Sequence, residues 1–269
     1  LASPVQPMDL SWWQLAIAAS LILISGAVSL ALKLRMEKRL ALASLRTIVQ
    51  LGLVGYVLKW VFELDTLLAL GPVFLLMIAT ATGAAIRRPE RRYGGAARRA
   101  FFSLALTGLV ITVTATRLII GVDPWYAPSY FIPLLGMVLG NGMNGISLCL
   151  DHLLESFTLR RDVVEMELAL GATSWESARG PVSSAVRRGM IPIINSMMVV
   201  GIVSLPGMMT GQILAGADPL RAVKYQIVIM FMIAAGTAMG SMLIAVLSYR
   251  ALYNSRHQLV SDRIRSGKG

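Results

Sequence analysis

A chain of 269 residues that is 56% apolar and only 14% charged, with a mean hydropathy of +0.68, is too poor in charge for a soluble domain, which would carry roughly a quarter charged residues. The net charge of +11 would suit a nucleic-acid binder if it formed one patch, but it is split into short clusters between long apolar runs, so no nucleic-acid partner is expected. The single Cys149 excludes an intrachain disulfide and a secreted disulfide framework; it reads as a small packing residue.

The chain opens on Leu1 rather than Met, and Met8 is a candidate native start that would make the first seven residues a remnant. No cleaved signal peptide is expected, because no basic residue precedes the first apolar run and no clear small-residue cleavage site follows it. Seven apolar runs then follow, at about residues 12–32, 44–62, 67–86, 100–120, 130–150, 191–215 and 225–249. Each has the length and low charge of a membrane-spanning helix.

The charges between the runs alternate in kind. Of 25 Lys and Arg residues, 21 fall on one set of alternate loops: Lys33, Arg35, Lys38, Arg39 and Arg46 around the first, Arg87 to Arg99 in the third, Arg160 to Arg188 in the fifth, and Arg250 to Lys268 at the end. The other side has only Lys59, Arg117, Arg221 and Lys224. Basic loops stay in the cytoplasm. The N-terminus is therefore expected outside and the C-terminus inside, which requires an odd number of spans and agrees with seven.

Within the fifth run, Gly136 and Gly140 stand one turn apart on one face, which permits a close helix approach. Asn141 and Asn144 follow at the same depth. An amide in hydrocarbon needs partners, so these two are either interhelical glue or the lining of a pathway. Asp151 and His152 close the run, as a satisfied helix end rather than a metal site.

The stretch from 151 to 190 differs from every other connection. From Glu155 to Arg188 it holds five acidic and five basic residues, yet Val164, Leu168, Gly171 and Trp175 follow a helical stripe. Thr173 or Ser174, with Glu176 behind, suits a helix start after Gly171. The spacing predicts helix, Gly-centred turn, helix on the cytoplasmic side. Asp162, Glu165 and Glu167 on its first half would be repelled by anionic lipid, which favours a protein partner over the membrane surface.

The sixth run carries Pro206-Gly207-Met208-Met209-Thr210-Gly211-Gln212. Pro206 cannot donate to Ile202, so the helix bends or opens there. Gly207, Gly211 and Ala215 predict a small-residue packing face. Freed backbone at membrane depth must line protein or a cavity, which makes Pro206, Gly207, Met208, Met209 and Gln212 candidates for gating or passage. Thioethers are soft metal donors, but among 15 methionines they are also ordinary apolar filler. Whether a metal binds is left open.

An enzyme is not expected: the histidines are His152 and His257, and HExxH, GxSxG and paired membrane aspartates are all lacking. The chain also lacks GxxxxGK[ST], so ATP would have to be bound, with Mg, by another polypeptide; no cofactor is expected here.

Glu165-Met-Glu-Leu-Ala169-Leu170-Gly171-Ala172-Thr-Ser-Trp175 resembles the EAA-type coupling motif of ABC permeases, with Glu165 six residues before Gly171 and Ile191-Pro192 downstream. Glu165-Met-Glu replaces Glu-Ala-Ala. The stretch Ser204 to Pro219, with Lys224-Tyr225-Gln226 and the ending Tyr253-Asn-Ser-Arg-His-Gln-Leu259, is similar to the FetB family of bacterial permeases, whose plant relatives are involved in aluminium tolerance. The resemblance covers nearly all of the chain from the second run onward and is strongest from Gly136 to Leu259.

That resemblance implies a bacterial inner-membrane permease working with a separate, FetA-like ATPase subunit, and a link to iron homeostasis and export. It also implies a coupling role for Glu165, Glu167, Ala169, Gly171, Ala172 and Trp175. The expected fold is all-α: one permease domain over 1–269, a polytopic bundle of about seven helices with a cytoplasmic coupling pair, and a homodimer in the membrane over two ATPases. Its cargo would be iron, a related metal ion or a metal-linked solute. Alternatives are a nucleotide-sugar permease of the same architecture, an ATP-independent carrier or channel, and a membrane scaffold.

Overall fold

The computed structural model of the chain describes residues 11–64 and 66–266. The candidate start Met8 and the terminal Lys268 lie outside the described residues. The described chain is mostly helical: α1 (Trp12–Ala31), α2 (Glu37–Leu64), α3 (Leu67–Arg87), α4 (Ala96–Val113, continued by a π-helical segment, Thr114–Ile120), α5 (Pro128–Leu159), α6 (Arg161–Ala169), α7 (Ser174–Val199), α8 (Gly207–Leu214) and α9 (Pro219–Leu252). Six helices, α1 to α5 and α9, are long and apolar enough to cross a membrane. They leave side chains such as Leu23, Leu42, Leu68 and Leu76 mostly uncovered, an apolar surface far beyond what a soluble monomer exposes. The protein is an integral, multi-spanning membrane protein.

Two compact units are formed, Leu1–Asp65 with Gly211–Ala217, and Thr66–Thr210 with Asp218–Gly269. In the first, α1 and α2 pack as a helical hairpin. The buried Ser29 hydroxyl donates to the Glu37 carboxylate at 3.2 Å and accepts from the Met36 N–H at 3.1 Å, tying the connection across its tight turn. In the second, α5 is central and packs on α3, α4, α7 and α9, while α9 also packs on α4 and α7. Leu135, Ile146, Leu150, Leu153 and Phe157 of α5 are fully buried, so this helix forms the core of the second unit.

Four expectations need correction. The run at 191–215 is not one helix: α7 ends at Val199, residues 200–206 are non-helical, and α8 is a separate short helix. A hydropathy average runs across such a break without registering it. α7 itself is long, but it carries Glu176, Arg179, Arg187 and Arg188, which keeps it out of the apolar set. Second, α5 does not end at Asp151–His152 but continues to Leu159, and α6 follows after Arg160. Both side chains are engaged laterally: the Asp151 carboxylate accepts from the Glu90 N–H at 3.0 Å, and the His152 ring Nε2 lies 2.8 Å from the Ser184 hydroxyl.

Third, the fold is not purely helical. β1 (Arg91–Tyr93) and β2 (Ile264–Ser266) form an antiparallel pair that ties the C-terminal segment to the α3–α4 connection. Fourth, Gly136 and Gly140 are not where helices meet closely. A Cβ on Gly140 would find nothing within 4 Å, and one on Gly136 would only touch the tip of Met77 at 3.5 Å. The tight crossing lies further along α5, at Gly145.

Candidate functional site

The sequence-predicted residues separate into three places: the α7–α8 break, a polar vestibule beside α5, and the α6–α7 corner.

The break is a compact turn. Val200 makes the last bond of α7, to the Ser196 carbonyl at 3.1 Å. Gly201 has φ +85°, which only glycine adopts without strain, and its N–H returns to the Ser204 carbonyl at 2.9 Å. Pro206 stands just before α8, where its missing N–H costs nothing, and its carbonyl accepts from the Thr210 N–H at 3.0 Å and hydroxyl at 3.2 Å. Pro206 therefore starts a helix and does not kink one.

Around this turn the two methionines go to different surroundings. Met208 packs on a buried cluster that includes Ala115, Leu134, Val138, Ile193 and Ile233. Met209 lines a half-open cavity of about 420 Å³ with Met197, Leu205, Met230, Phe231 and Gln226. Gln226 is 6% exposed, and its side-chain oxygen has no hydrogen-bond partner among the described residues. Gln212 is half-buried on α8. A Cβ on Gly207 or Gly211 would meet nothing within 4 Å, so the small face of α8 is uncovered among the described residues.

The two asparagines do not join that cavity. Asn141 donates to the Met137 carbonyl of its own helix at 3.0 Å, so it is neither glue across helices nor free. The Asn144 carbonyl oxygen accepts from the Arg88 guanidinium. Asn144 and Arg88 line, with Ser147, Leu148, Asp151 and Pro192, a half-open vestibule of about 530 Å³. Asn144 thus sits beside charged groups, Arg88 and Asp151.

The α6–α7 corner is built by local sequence. Past Ala169, the Gly171 N–H bonds the Leu168 carbonyl at 3.1 Å and the Ala172 N–H bonds the Glu167 carbonyl at 3.0 Å. This is a Schellman ending, with Gly171 at φ +95°. Thr173 then caps α7: its hydroxyl oxygen accepts from the Glu176 N–H at 3.3 Å, and the Glu176 carboxylate accepts from the Thr173 N–H at 2.7 Å. That capping box is the one expected from Thr173 and Glu176. Those bonds, the Thr173 N–H first and its hydroxyl second, hold the Glu176 carboxyl below its ordinary pKa.

Val164 is buried and anchors α6, while Glu165, Ala169 and Gly171 are exposed. Arg161 pairs with Glu165 at 2.6 Å, a bond that raises the guanidinium pKa. Trp175 packs against Tyr249 with its ring tilted and the centroids 5.2 Å apart. The stripe drawn from Val164 to Trp175 is therefore divided: its first two members lie on α6 and its last on α7.

The segment after α9 clamps this corner. The Tyr253 hydroxyl lies 3.0 Å from that of Ser177, and the His257 ring Nδ1 lies 3.0 Å from that of Ser174. Burial raises the Tyr253 phenol, opposed by the Ser177 bond. Asn254 holds the turn, accepting from the N–H groups of Arg256 and Gln258, both at 2.9 Å. A groove of about 550 Å³ opens between the two segments, lined by Glu165, Leu168, Ala169 and Ala172 on one wall and Arg256 to Leu259 on the other.

Arg88, Met197 and Met230 escaped the sequence reading as site residues, and Gln226 entered it only within Lys224-Tyr225-Gln226. Arg88 was counted as topological charge. The groove wall at 256–259 was visible only as a recurring ending.

Residues 12–253 match the Uncharacterised protein family UPF0014, and the chain belongs to that family. It is 34% identical over 251 residues to the "Probable iron export permease protein FetB" of Escherichia coli K12, covering 93% of this chain and 95% of that protein. It is 36% identical over 252 residues to the UPF0014 membrane protein slr1647 of Synechocystis, covering 94% and 95%. Against the UPF0014 membrane protein YjkA of Bacillus subtilis it is 36% identical over 250 residues, covering 93% and 98%. These relatives are named as a permease and as membrane proteins, not as enzymes. No solved structure matches the chain.

Proposed function

We propose that this UPF0014 protein is the permease subunit of an ABC transporter, driven by a separate ATPase that binds ATP and Mg. The α6–α7 corner carries the reading: a rigid helical turn, capped on both sides, that exposes Glu165, Ala169 and Gly171 beside a groove of about 550 Å³. A preorganised corner of this kind loses little entropy on docking. It is clamped to α9 through Trp175–Tyr249 and Ser177–Tyr253, so a push on the corner is passed to a helix that spans the membrane. α7 leads the other way, to the break at 200–206.

In this reading the C-terminus is cytoplasmic, the N-terminus is outside, and two permeases pair across the uncovered Gly207–Gly211 face. The cargo is iron or a metal-linked solute, following the relative named for iron export. An ATP-independent carrier would use buried carboxylates. Among the described residues the buried polar side chains are Ser, Thr and Gln226. A nucleotide-sugar cargo would need aromatic and basic lining together, which neither the Gln226 cavity nor the Arg88 vestibule offers.

The test is co-purification with an ABC ATPase subunit of the same cell, followed by ATP hydrolysis in proteoliposomes with and without ferrous iron. Stable pairing and cargo-stimulated hydrolysis are expected, both lost in Glu165→Lys. A chain that pairs with no ATPase and still moves solute overturns the reading.

A further inference from the structure

We propose that the recess between the β1–β2 ribbon and the start of α4 binds the phosphate headgroup of an anionic phospholipid, whose acyl chains run along the exposed face of α4. The site stands apart from the transport reading above and needs no particular orientation of the chain in the membrane.

One short connection builds it. Residues 87–99 carry six arginines and one acid, Glu90. Arg87 ends α3 and Ala96 opens α4, and both helices are long and apolar enough to cross a membrane, so the connection stands at a membrane surface. Tyr93 anchors it: the side chain is buried, and its hydroxyl lies 2.8 Å from that of Ser248 on α9. Pairing of Arg92 with Arg265 in the ribbon adds a further cation from the C-terminal strand. Beside the ribbon opens a recess of about 170 Å³, lined by Arg91 and Arg92 and, on its apolar part, by Ile86, Ala97, Leu150 and Leu154.

Three observations point to a lipid phosphate. First, the arginines are held without acids. Arg92 donates to the Arg87 carbonyl and Arg99 to the Gly94 carbonyl, each at 3.3 Å, and the Arg99 guanidinium lies 5.5 Å from the centre of the Tyr93 ring. Among the described residues none of the six forms an ion pair. Glu90 is exposed, and Asp151 accepts from the Glu90 N–H. Guanidinium groups left free in this way match phosphate oxygens in geometry and charge. Second, α4 starts at the recess with Arg98 and Arg99 in its first turn, no acid there and no side-chain cap. Its dipole adds to their positive potential where a helix is ordinarily relieved by negative charge, and an anion relieves both. Third, the exposed residues Arg98, Phe102, Leu106 and Leu109 follow one face of α4. A cation at the head of an apolar stripe matches an amphiphile, not a free anion. Topology asks only that basic residues stay on one side; it does not gather them round a recess with an apolar floor.

The experiment titrates the purified chain, in a detergent without net charge, with dioleoyl phosphatidylglycerol and dioleoyl phosphatidylcholine, and counts bound lipid by native mass spectrometry. The two share their acyl chains and differ in headgroup charge. Phosphatidylglycerol is expected to bind about tenfold tighter. Arg91→Gln with Arg92→Gln should bring the two lipids close to parity. If that chain fails to fold, Arg92→Gln alone, at an exposed position, should narrow the ratio severalfold. Ala97→Phe, which fills the recess and keeps every charge, should weaken phosphatidylglycerol severalfold. Arg179→Gln with Arg187→Gln, which removes exposed arginines of α7, should leave the preference intact.

Equal affinity for the two lipids, a preference that survives loss of Arg91 and Arg92, or binding untouched by Ala97→Phe would each overturn the proposal. An equal loss in the Arg179 and Arg187 variant would overturn it too, by making the preference diffuse surface charge. So would glycerol 3-phosphate binding as tightly as the lipid, which would make this a site for a soluble phosphate.

Discussion

Gly189 of α7 lies directly against the carbonyl oxygen of Gly145 in α5: a Cβ at position 189 would stand 2.7 Å from that oxygen, 2.9 Å from the Ser241 hydroxyl of α9 and 3.2 Å from the Cys149 Cβ. Backbone cannot yield as a flexible side chain can. Three helices are thus locked at one point, between the α6–α7 corner and the break at 200–206. Gly189→Ala is expected to destabilise the helix bundle by about 1–3 kcal/mol, the range for overpacking. Gly140→Ala, which meets nothing within 4 Å, should be neutral. Thermal unfolding in detergent compares the two. Equal midpoints would remove the three-helix lock.

The corner between α6 and α7 depends on Gly171 at φ +95°. Gly171→Ala should cost about 1–2 kcal/mol through left-handed strain, concentrated in this corner. The expected result is weakened ATPase pairing at an unchanged thermal midpoint for the spanning helices. Pairing as tight as that of the parent chain would show that docking does not need the Schellman turn.

The cap of α7 should respond to pH. Glu176 has its pKa lowered in the folded chain by the Thr173 N–H and hydroxyl. A lowered folded value means that the cap's contribution is fully present above the ordinary glutamate range and is lost as pH falls through the folded value. Hydrogen exchange at the Thr173 and Glu176 amides should accelerate at acidic pH beyond its intrinsic trend. Glu176→Gln, an acceptor that does not titrate, should flatten that dependence. An unchanged profile in Glu176→Gln would assign the effect elsewhere.

Local chemistry was legible in the sequence and long-range geometry was not. The Gly171 turn and the Thr173–Glu176 box were readable because each partner lies within a few residues. Six apolar helices were readable because hydropathy over about 20 residues reports lipid contact directly. Gly145 and Gly189 were hidden because their meeting depends on how α5, α7 and α9 cross, and the one-turn spacing of Gly136 and Gly140 pointed to the wrong stretch. The end of α5 was misplaced for a related reason: a helix leaving the membrane keeps its backbone bonds while its side chains turn polar, so composition changes where structure does not. The burial of Gln226 was hidden because a hydropathy profile carries no information on what packs beside a residue.

The orientation can be read from the two ends of α9. Leu220, in the first turn, and Ser255, just past Leu252, mark the two ends of a 34-residue helix, about 51 Å long, enough to cross the membrane. Cys149 is fully buried, so the parent chain should be silent to a membrane-impermeant maleimide. Leu220→Cys is expected to label in intact cells and Ser255→Cys only after permeabilisation, as the basic C-terminal segment requires. Labelling of both from outside would overturn the inside placement of the C-terminus.

The break at 200–206 sets apart two residues that sequence alone would rank the other way. Pro206 is the conspicuous helix breaker, and Pro206→Ala would be expected to straighten a kinked span. The turn, however, is already complete before Pro206: Gly201 has φ +85°, its N–H is bonded to the Ser204 carbonyl at 2.9 Å, and the Val203 N–H is bonded to Val199 at 3.0 Å. Pro206 contributes a preset φ at the first turn of α8, worth about 0.4–1 kcal/mol. Pro206→Ala should therefore leave α7 and α8 separate and lower stability by no more than that. Gly201→Ala must hold a left-handed residue at a cost of about 1–2 kcal/mol or let the turn open, and the turn forms one wall of the Gln226 cavity. Gly201→Ala is expected to lower the thermal midpoint in detergent clearly and Pro206→Ala to leave it nearer the parent value. The reverse order would return the break to Pro206 and make Gly201 an incidental feature of the loop.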